Sequence, residues 1–298
     1  MFSNVLVGVD GRQGGRDAIA LAKQLAAPDG QIALAHIYGN DWMLGRGAAL
    51  ALPVEREASE RLLSKEREET ATRGELVSCA HSPAGRGLMR LAERRATDVL
   101  VVGSCHRGPL GRVFLGDQTS GALNGAPCAV AIAPLGHAAA PHPLSAIGIG
   151  YDGSPESERA LEAARELAAR CGSTIKALSV VSLQSIPYGE PIPANWPEVA
   201  KELVDDELRR LRGLSDVEGD VSYGDPSEEL SRFGEELDLL IVGSRSYGPV
   251  GRLFNGSTSN FLAKRARCPL LVLPRSSTTS VDHEPSEPPV REPIASRD

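Results

Sequence analysis

The residues with the clearest chemical potential lie in the stretch "VGSRSYGPVGRLFNGSTS", 242–259. An apolar run, "LDLLIV", enters it and a helix-like run, "STSNFLAKRAR", leaves it. Glycines let a backbone turn tightly and approach a ligand closely. A helix starting at Gly256-Ser257 offers free N–H groups and about half a positive charge, which suits a phosphate. Ser257, Thr258 and Ser259 add hydroxyl donors, and Arg245 and Arg252 could neutralise a triphosphate. A near copy, "VGSCHRGPLGRVFLGDQTS", fills 102–120, with Gly103, Gly116 and Asp117 in corresponding places. A plainer reading fits the same residues: glycines that only permit turns, hydroxyls that only cap a helix, and arginines that are solvated loop charges.

The elements that position these loops are also written twice. "NVLVGVDG" (4–11) returns as "AIGIGYDG" (146–153), and "APCAVAIAP" (126–134) as "ARCPLLVLP" (266–274). Two copies are too few for a solenoid, so each is expected to close its own core. The segment "LGHAAAPHPLS" reads as a linker, giving units of 1–136 and 145–275 joined through 137–144. In the second copy the pattern predicts strands at 146–151, 174–181, 217–223, 238–243 and 269–273. Ser154 as N-cap, Pro155 at the first helical position and Gly172 as the stop frame its first helix. In the first copy, Ala18, Ile19, Ala22, Leu25 and Ala26 form the matching helix face before "PDG". Apolar strands joined by helices imply α/β architecture: two tandem doubly wound domains, each a five-stranded parallel sheet covered on both faces. Ligands in such sheets sit beyond the carboxyl ends of the strands, where strand order reverses. Asp10 and Asp152, after strand one, and the loops after Gly103 and Gly243 should meet there.

Composition narrows the classes. The 298 residues are 41% hydrophobic and 24% charged with a net charge of −7, which argues against a nucleic-acid or anionic-membrane surface. No run approaches the ~18 apolar residues of a membrane span, and the start lacks a signal peptide's basic end. Five cysteines without a CxxC pair fit a reducing cytoplasm. The Pro, Ser and acid-rich tail from 276 to 298 has little to bury and is expected to be disordered.

The order "VGVDG" or "IGYDG" near each start, "VVGS" or "IVGS" after strand four, and Gly-Ser at the next helix resembles the universal stress protein family. The resemblance spans about 3–136 and 145–275, so the chain looks like a tandem, Rossmann-like member of the adenine-nucleotide-binding type. In ATP-binding members the loop reads G-x2-G-x9-G-[ST]. That pattern falls on Gly243, Ser246, Gly256 and Ser257 in copy two, and on Gly103, His106, Gly116 and Asp117 in copy one. The family's strand-one aspartate would be Asp152 or Asp10, and the apolar residue lining the base Val180 or Ile37. Gly150, Val242, Arg245, Gly248, Thr258 and Ser259 complete the implied copy-two set.

Both copies depart at the second glycine. Ser246 is a small change, with Gly248 two residues on; His106 is bulkier. Asp117 matters more, because it places a carboxylate where the helix should meet phosphate. At ~5 Å and an effective dielectric of 20, two such charges repel by about 3 kcal/mol. Helix-dipole attraction offsets only about 0.3–1 kcal/mol. Copy one therefore reads as a degenerate site. The resemblance implies a stress-response protein that binds ATP in copy two and is not an enzyme, with at most very slow ATP hydrolysis. The alternatives are a nucleotide-free scaffold and a cyclic AMP binder, which needs fewer phosphate contacts. It also implies that the last strands, 127–134 and 269–274, pair as an intramolecular pseudo-dimer, with homodimerisation left open.

Other signals are weaker. "GIGYDG" matches a dinucleotide fingerprint, but its counterpart has Leu6 at the first glycine, and no P-loop lysine motif occurs. "CAH" at 79–81 and "CH" at 105–106 belong to separate strands, which disfavours a shared metal. Trp42 and Trp196 could flank a base or cover a core edge. His36 has Ser179 as its counterpart, which argues against a shared histidine base.

Overall fold

The computed structural model describes residues 2–39, 48–105, 110–115, 126–140, 142–182, 195–244 and 257–274, with 48–51 described in the backbone only. The first copy contains β1 (Phe2–Gly8), α1 (Gln13–Leu25), β2 (Ala26–Tyr38), α2 (Ala48–Glu69), β3 (Glu75–Ala80), α3 (Ala84–Arg94), β4 (Val99–Gly103) and β5 (Ala129–Ala133). The second contains β6 (Ala146–Gly150), α4 (Pro155–Cys171), β7 (Thr174–Val181), α5 (Trp196–Arg212), β8 (Glu218–Tyr223), α6 (Pro226–Phe233), β9 (Leu239–Gly243), α7 (Ser257–Arg265) and β10 (Leu270–Leu273).

Local chemistry accounts for these elements. At the start of α4, Ser154 Oγ accepts from Ser157 N at 3.2 Å and Pro155 opens the helix. Gly172 closes it in the left-handed region, at φ 69°. At α6 the Asp225 side chain accepts from the N–H groups of Ser227 and Glu228. In the first copy, α1 ends one residue before the expected Ala26, and Pro28-Asp29-Gly30 are carried inside β2. A register shift between the β1–β2 pairs Phe2–Ala26 and Asn4–Gln31 accommodates them. Trp196 begins α5 and donates through Nε1 to the Tyr223 hydroxyl at 2.8 Å, covering the end of β8.

Each copy has parallel strands in the order 3-2-1-4-5, so chain order reverses between strands one and four. An aspartate before strand four ties down the start of strand one in both. Asp98 accepts from Ser3 and Asn4 N–H at 2.8 Å each, and Asp238 from Ser145 and Ala146 at 2.8 and 2.9 Å. β5 and β10 then pair antiparallel, with Leu270 opposite Ile132, Leu271 opposite Ala131 and Val272 opposite Val130. The result is one ten-stranded sheet in the order β3-β2-β1-β4-β5-β10-β9-β6-β7-β8.

This junction changes one expectation. Each copy does not close a separate core. One apolar layer holds Val5, Ile19 and Val101 together with Ile147, Leu161 and Ile241; the other holds Leu6 and Ile132 with Leu240 and Val272. A continuous sheet lets each buried face run through both copies.

The stretch between the copies is held at several points. Asp17, fully buried on α1, accepts from Gly136 and Ala138 N–H at 2.8 Å each, beside the 3-10 turn at 137–139. Arg170 on α4 donates to the carbonyls of Gln24 and Ala26 at the end of α1.

Candidate functional site

The two strand-one aspartates sit at the strand order reversal. In each copy the residue before the aspartate adds one ladder bond beyond the strand: Val9 N–H to Ala35 O at 2.8 Å, and Tyr151 N–H to Leu178 O at 3.0 Å. Asp10 is exposed, and its Oδ1 accepts from Arg12 N–H at 3.1 Å. Asp152 is half-buried, and its Oδ1 accepts from Ser154 N–H at 3.1 Å and Ser154 Oγ at 2.5 Å. Both carboxylates thus brace a turn into the first helix while remaining at the end of the sheet.

Strand four delivers Gly103 and Gly243 alongside them. Val242 is buried, and a β-carbon on Gly150 would lie 3.6 Å from its Cγ1, which places the ends of β6 and β9 in contact. Ile37 and Val180 are half-buried on the same apolar layer as Val242. Ser244, the residue after Gly243, is buried and extends the ladder by one bond, its N–H donating to Leu273 O at 3.0 Å. Helix α7 leads into β10, which lies parallel to β9, so its first turn stands at the same sheet end. Ser257 there is exposed, Thr258 half-buried and Ser259 buried; the first turn holds no acidic residue, while Lys264 and Arg265 occupy the last. That arrangement sets the positive end of the helix, with no acidic side chain in its first turn, at this end of the sheet. Arg245, Ser246, Gly248, Arg252 and Gly256, like His106, Gly116 and Asp117 in copy one, lie outside the described residues.

Buried Ser104 donates through Oγ to Ala133 O at 2.7 Å and accepts from Phe114 N–H at 3.0 Å. The returning leg then docks on the second copy: Val113 N–H donates to Ala266 O at 2.8 Å and Leu115 N–H to Ala263 O at 2.9 Å. These bonds satisfy carbonyls that the end of α7 would otherwise leave open. Two amides of the copy-one loop therefore serve a helix end.

The flanks of the two strand ends carry polar groups, of which the sequence names only the counterparts His36 and Ser179. In copy two, Ser179 donates to Glu207 at 3.1 Å, and Arg210 binds Glu207 and donates to the Asp152 carbonyl at 3.0 Å. In copy one, His36 Nδ1 lies 2.8 Å from Ser59 Oγ, which also accepts from Ser78 at 2.7 Å. Burial lowers the His36 pKa, opposed by the charges of Asp10 and Glu55. The only available signal for Arg210 was the charged run "DDELRR" at 205–210, whose helical spacing does not reveal a contact with strand one.

Comparison with known proteins bears on this architecture. The universal stress protein family matches residues 1–134 and again 144–274. The chain belongs to that family. A universal stress protein of Mycobacterium tuberculosis is 30% identical over 186 residues, covering 60% of this chain and 62% of that relative's length, under two thirds of it. One from Mycolicibacterium smegmatis is 26% identical over 285 residues, covering 90% of this chain and 96% of that protein. Among solved structures, a universal stress protein from Archaeoglobus fulgidus aligns with a TM-score of 0.64 at 19% identity, over 91% of this chain and 98% of that one. A functionally unknown protein from Pseudomonas aeruginosa aligns at 0.60 with 14% identity, over 91% and 92%. At such identities the structural likeness concerns the fold, a Rossmann-like α/β unit present twice. Among the described residues no helix is long and apolar enough to cross a membrane.

Proposed function

We propose that this member of the family is a cytoplasmic stress-response protein that binds an adenine nucleotide, ATP in preference to cyclic AMP, in its second copy, without using it as an enzyme substrate. The observation that carries this reading is the placement of Asp152, Gly243 and the acid-free first turn of α7 at one end of the copy-two sheet. Asp152 and Val180 would face the base. Gly243, Ser246, Gly256 and the N–H and hydroxyl groups of Ser257–Ser259 would hold the phosphates, with Arg245 as a counter-charge. Copy one, whose sequence has Asp117 where copy two has Ser257, would serve as a structural partner. The two units, 1–136 and 145–275, would act as an intramolecular pseudo-dimer, a role supported by the β5–β10 ladder.

The test is to denature the purified protein and identify released nucleotide by mass spectrometry. The emptied chain is then challenged with labelled ATP against unlabelled cyclic AMP. The proposal expects adenine nucleotide in the supernatant or saturable ATP binding that cyclic AMP displaces poorly. No binding at millimolar nucleotide would sink it. A second reading, a nucleotide-free scaffold, draws on the Val113 and Leu115 amides bonded to α7. It expects neither nucleotide to bind.

A further inference from the structure

A groove of about 310 Å3 lies between α3 and the start of β5, lined by Arg86, Met89, Arg90, Glu93 and Pro127. Met89 is half-buried and the other four are exposed, so the lining is open to an incoming group. Arg86, Arg90 and Arg94 recur at i, i+4 and i+8, which sets three positive charges on one stripe of α3. Like charges at that spacing destabilise a helix unless something opposes them. Other helices of this chain supply the opposition themselves. Arg61 meets Glu57 on α2, Arg210 meets Glu207 on α5 and Arg232 meets Glu229 on α6, the counterpart of α3, each at 2.9 Å. Among the described residues neither Arg86 nor Arg90 has a carboxylate within ion-pair reach, and Arg94 reaches only Cys79 Sγ, at 3.9 Å.

The chain carries a matching segment close by. Because β10 runs antiparallel to β5 with Val272 opposite Val130, Pro274 falls opposite Cys128, next to Pro127 on the groove. Pro127 and Pro274 also line one common cleft at the seam between the copies. The described chain stops at Pro274, and the sequence continues as "RSSTTSVDHEPSEPPV", 275–290. Asp282, Glu284 and Glu287 are its acids, with no Lys or Arg between 276 and 290. A segment of this composition buries too little to fold alone and binds through charge. Pro285, Pro288 and Pro289 favour a polyproline helix of three residues per turn, which puts Glu284 and Glu287 on one side about 9 Å apart. Along α3, Arg86 is about 6 Å from Arg90 and about 12 Å from Arg94, so the spacings overlap. The seven residues 275–281 span up to about 23 Å, roughly twice the width of a helix.

We propose that the acidic segment 282–287 docks on the α3 groove of its own chain, with Glu284 and Glu287 opposite the Arg86–Arg90–Arg94 stripe and the neighbouring prolines against Met89 and Pro127. The groove is then occupied from within, and another anionic partner binds there only by displacing the segment. The contact is independent of the nucleotide reading, since none of its residues belongs to that set.

Backbone amide relaxation by NMR, on the full chain in dilute buffer, tests the contact. The proposal expects amides of 282–287 to be restrained relative to those of 294–297, and the restraint to vanish near 1 M salt, where the screening length is about 3 Å. Each exposed ion pair changes the docked-to-free ratio by a factor of about 1.4 to 5. R86Q/R90Q and E284Q/E287Q should therefore each lower the docked population several-fold. R86E/R90E should abolish the restraint, and adding E284R/E287R to it should restore it. These positions are exposed or in the tail, and a thermal melt confirms that each variant folds. Amides of 282–287 as mobile in the wild-type chain as in E284Q/E287Q would overturn the proposal, and so would restraint that survives R86Q/R90Q. Restraint that weakens on dilution would place the segment on a second copy and overturn the contact within one chain.

Discussion

A β-carbon placed on Gly103 would stand 1.8 Å from the carbonyl oxygen of Gly14, and one on Gly243 would stand 2.5 Å from that of Glu156. Both contacts are with the opening turn of the helix after strand one, and backbone cannot swing aside as a side chain can. Gly243→Ala should therefore destabilise the protein by about 1–3 kcal/mol, and Gly103→Ala by more, in urea unfolding at neutral pH. An unchanged midpoint would show that the helix yields freely. This role for the glycines was not legible in the sequence, which offered only a turn or a phosphate cradle; helix and strand meet through residues nearly 90 positions apart. Ser257→Asp separates two effects at one position. The added carboxylate should stabilise α7 slightly, by about 0.3–1 kcal/mol. It should weaken ATP binding by about two orders of magnitude through like-charge repulsion. Paired thermal and binding measurements read both, and a loss of ATP accompanied by unfolding would remove the electrostatic explanation.

Elements were easier to read than contacts. The strands expected at 146–151, 174–181, 217–223, 238–243 and 269–273 lie at 146–150, 174–181, 218–223, 239–243 and 270–273. Hydrophobic runs and helix caps are local signals, and copy two supplies both. The Ser154 cap, Pro155 and Gly172 stop all stand where the spacing put them. Copy one has no such stop after α1, so Pro28-Asp29-Gly30 gave no hint that β2 would absorb them through a register shift. Caps also give a measurable quantity. Asp225→Ala removes the acceptor for two N–H groups of α6 and should cost about 1 kcal/mol in chemical unfolding. Asp225→Ser should recover most of that loss, and failure to do so would point to a role beyond capping.

Across the whole molecule, the sheet binds both copies into shared apolar layers, and burial sets the pH range in which it is stable. Burial lowers the pKa values of His36 and His137 from the ordinary 6.5. Their contribution is present above that value and is lost as pH falls, because the unfolded chain takes up protons more readily. Burial raises Cys128 to about 11 and Cys268 to about 12, from the ordinary 9.0. Burial, then its bond to Glu158, raises Tyr151 to about 12, from 10.0. Their contribution is full below the ordinary values and declines as pH rises through the folded ones. Urea midpoints should therefore peak between about pH 6.5 and 9 and fall on both sides; a midpoint still rising at pH 10 would contradict the buried thiols. The central claim is that two copies of one fold carry one working nucleotide site, in the second copy. Calorimetric titration of ATP into the nucleotide-free full chain tests it most directly. The account predicts one equivalent per chain, abolished by Ser257→Asp; two equivalents, none, or one that survives that substitution would contradict it.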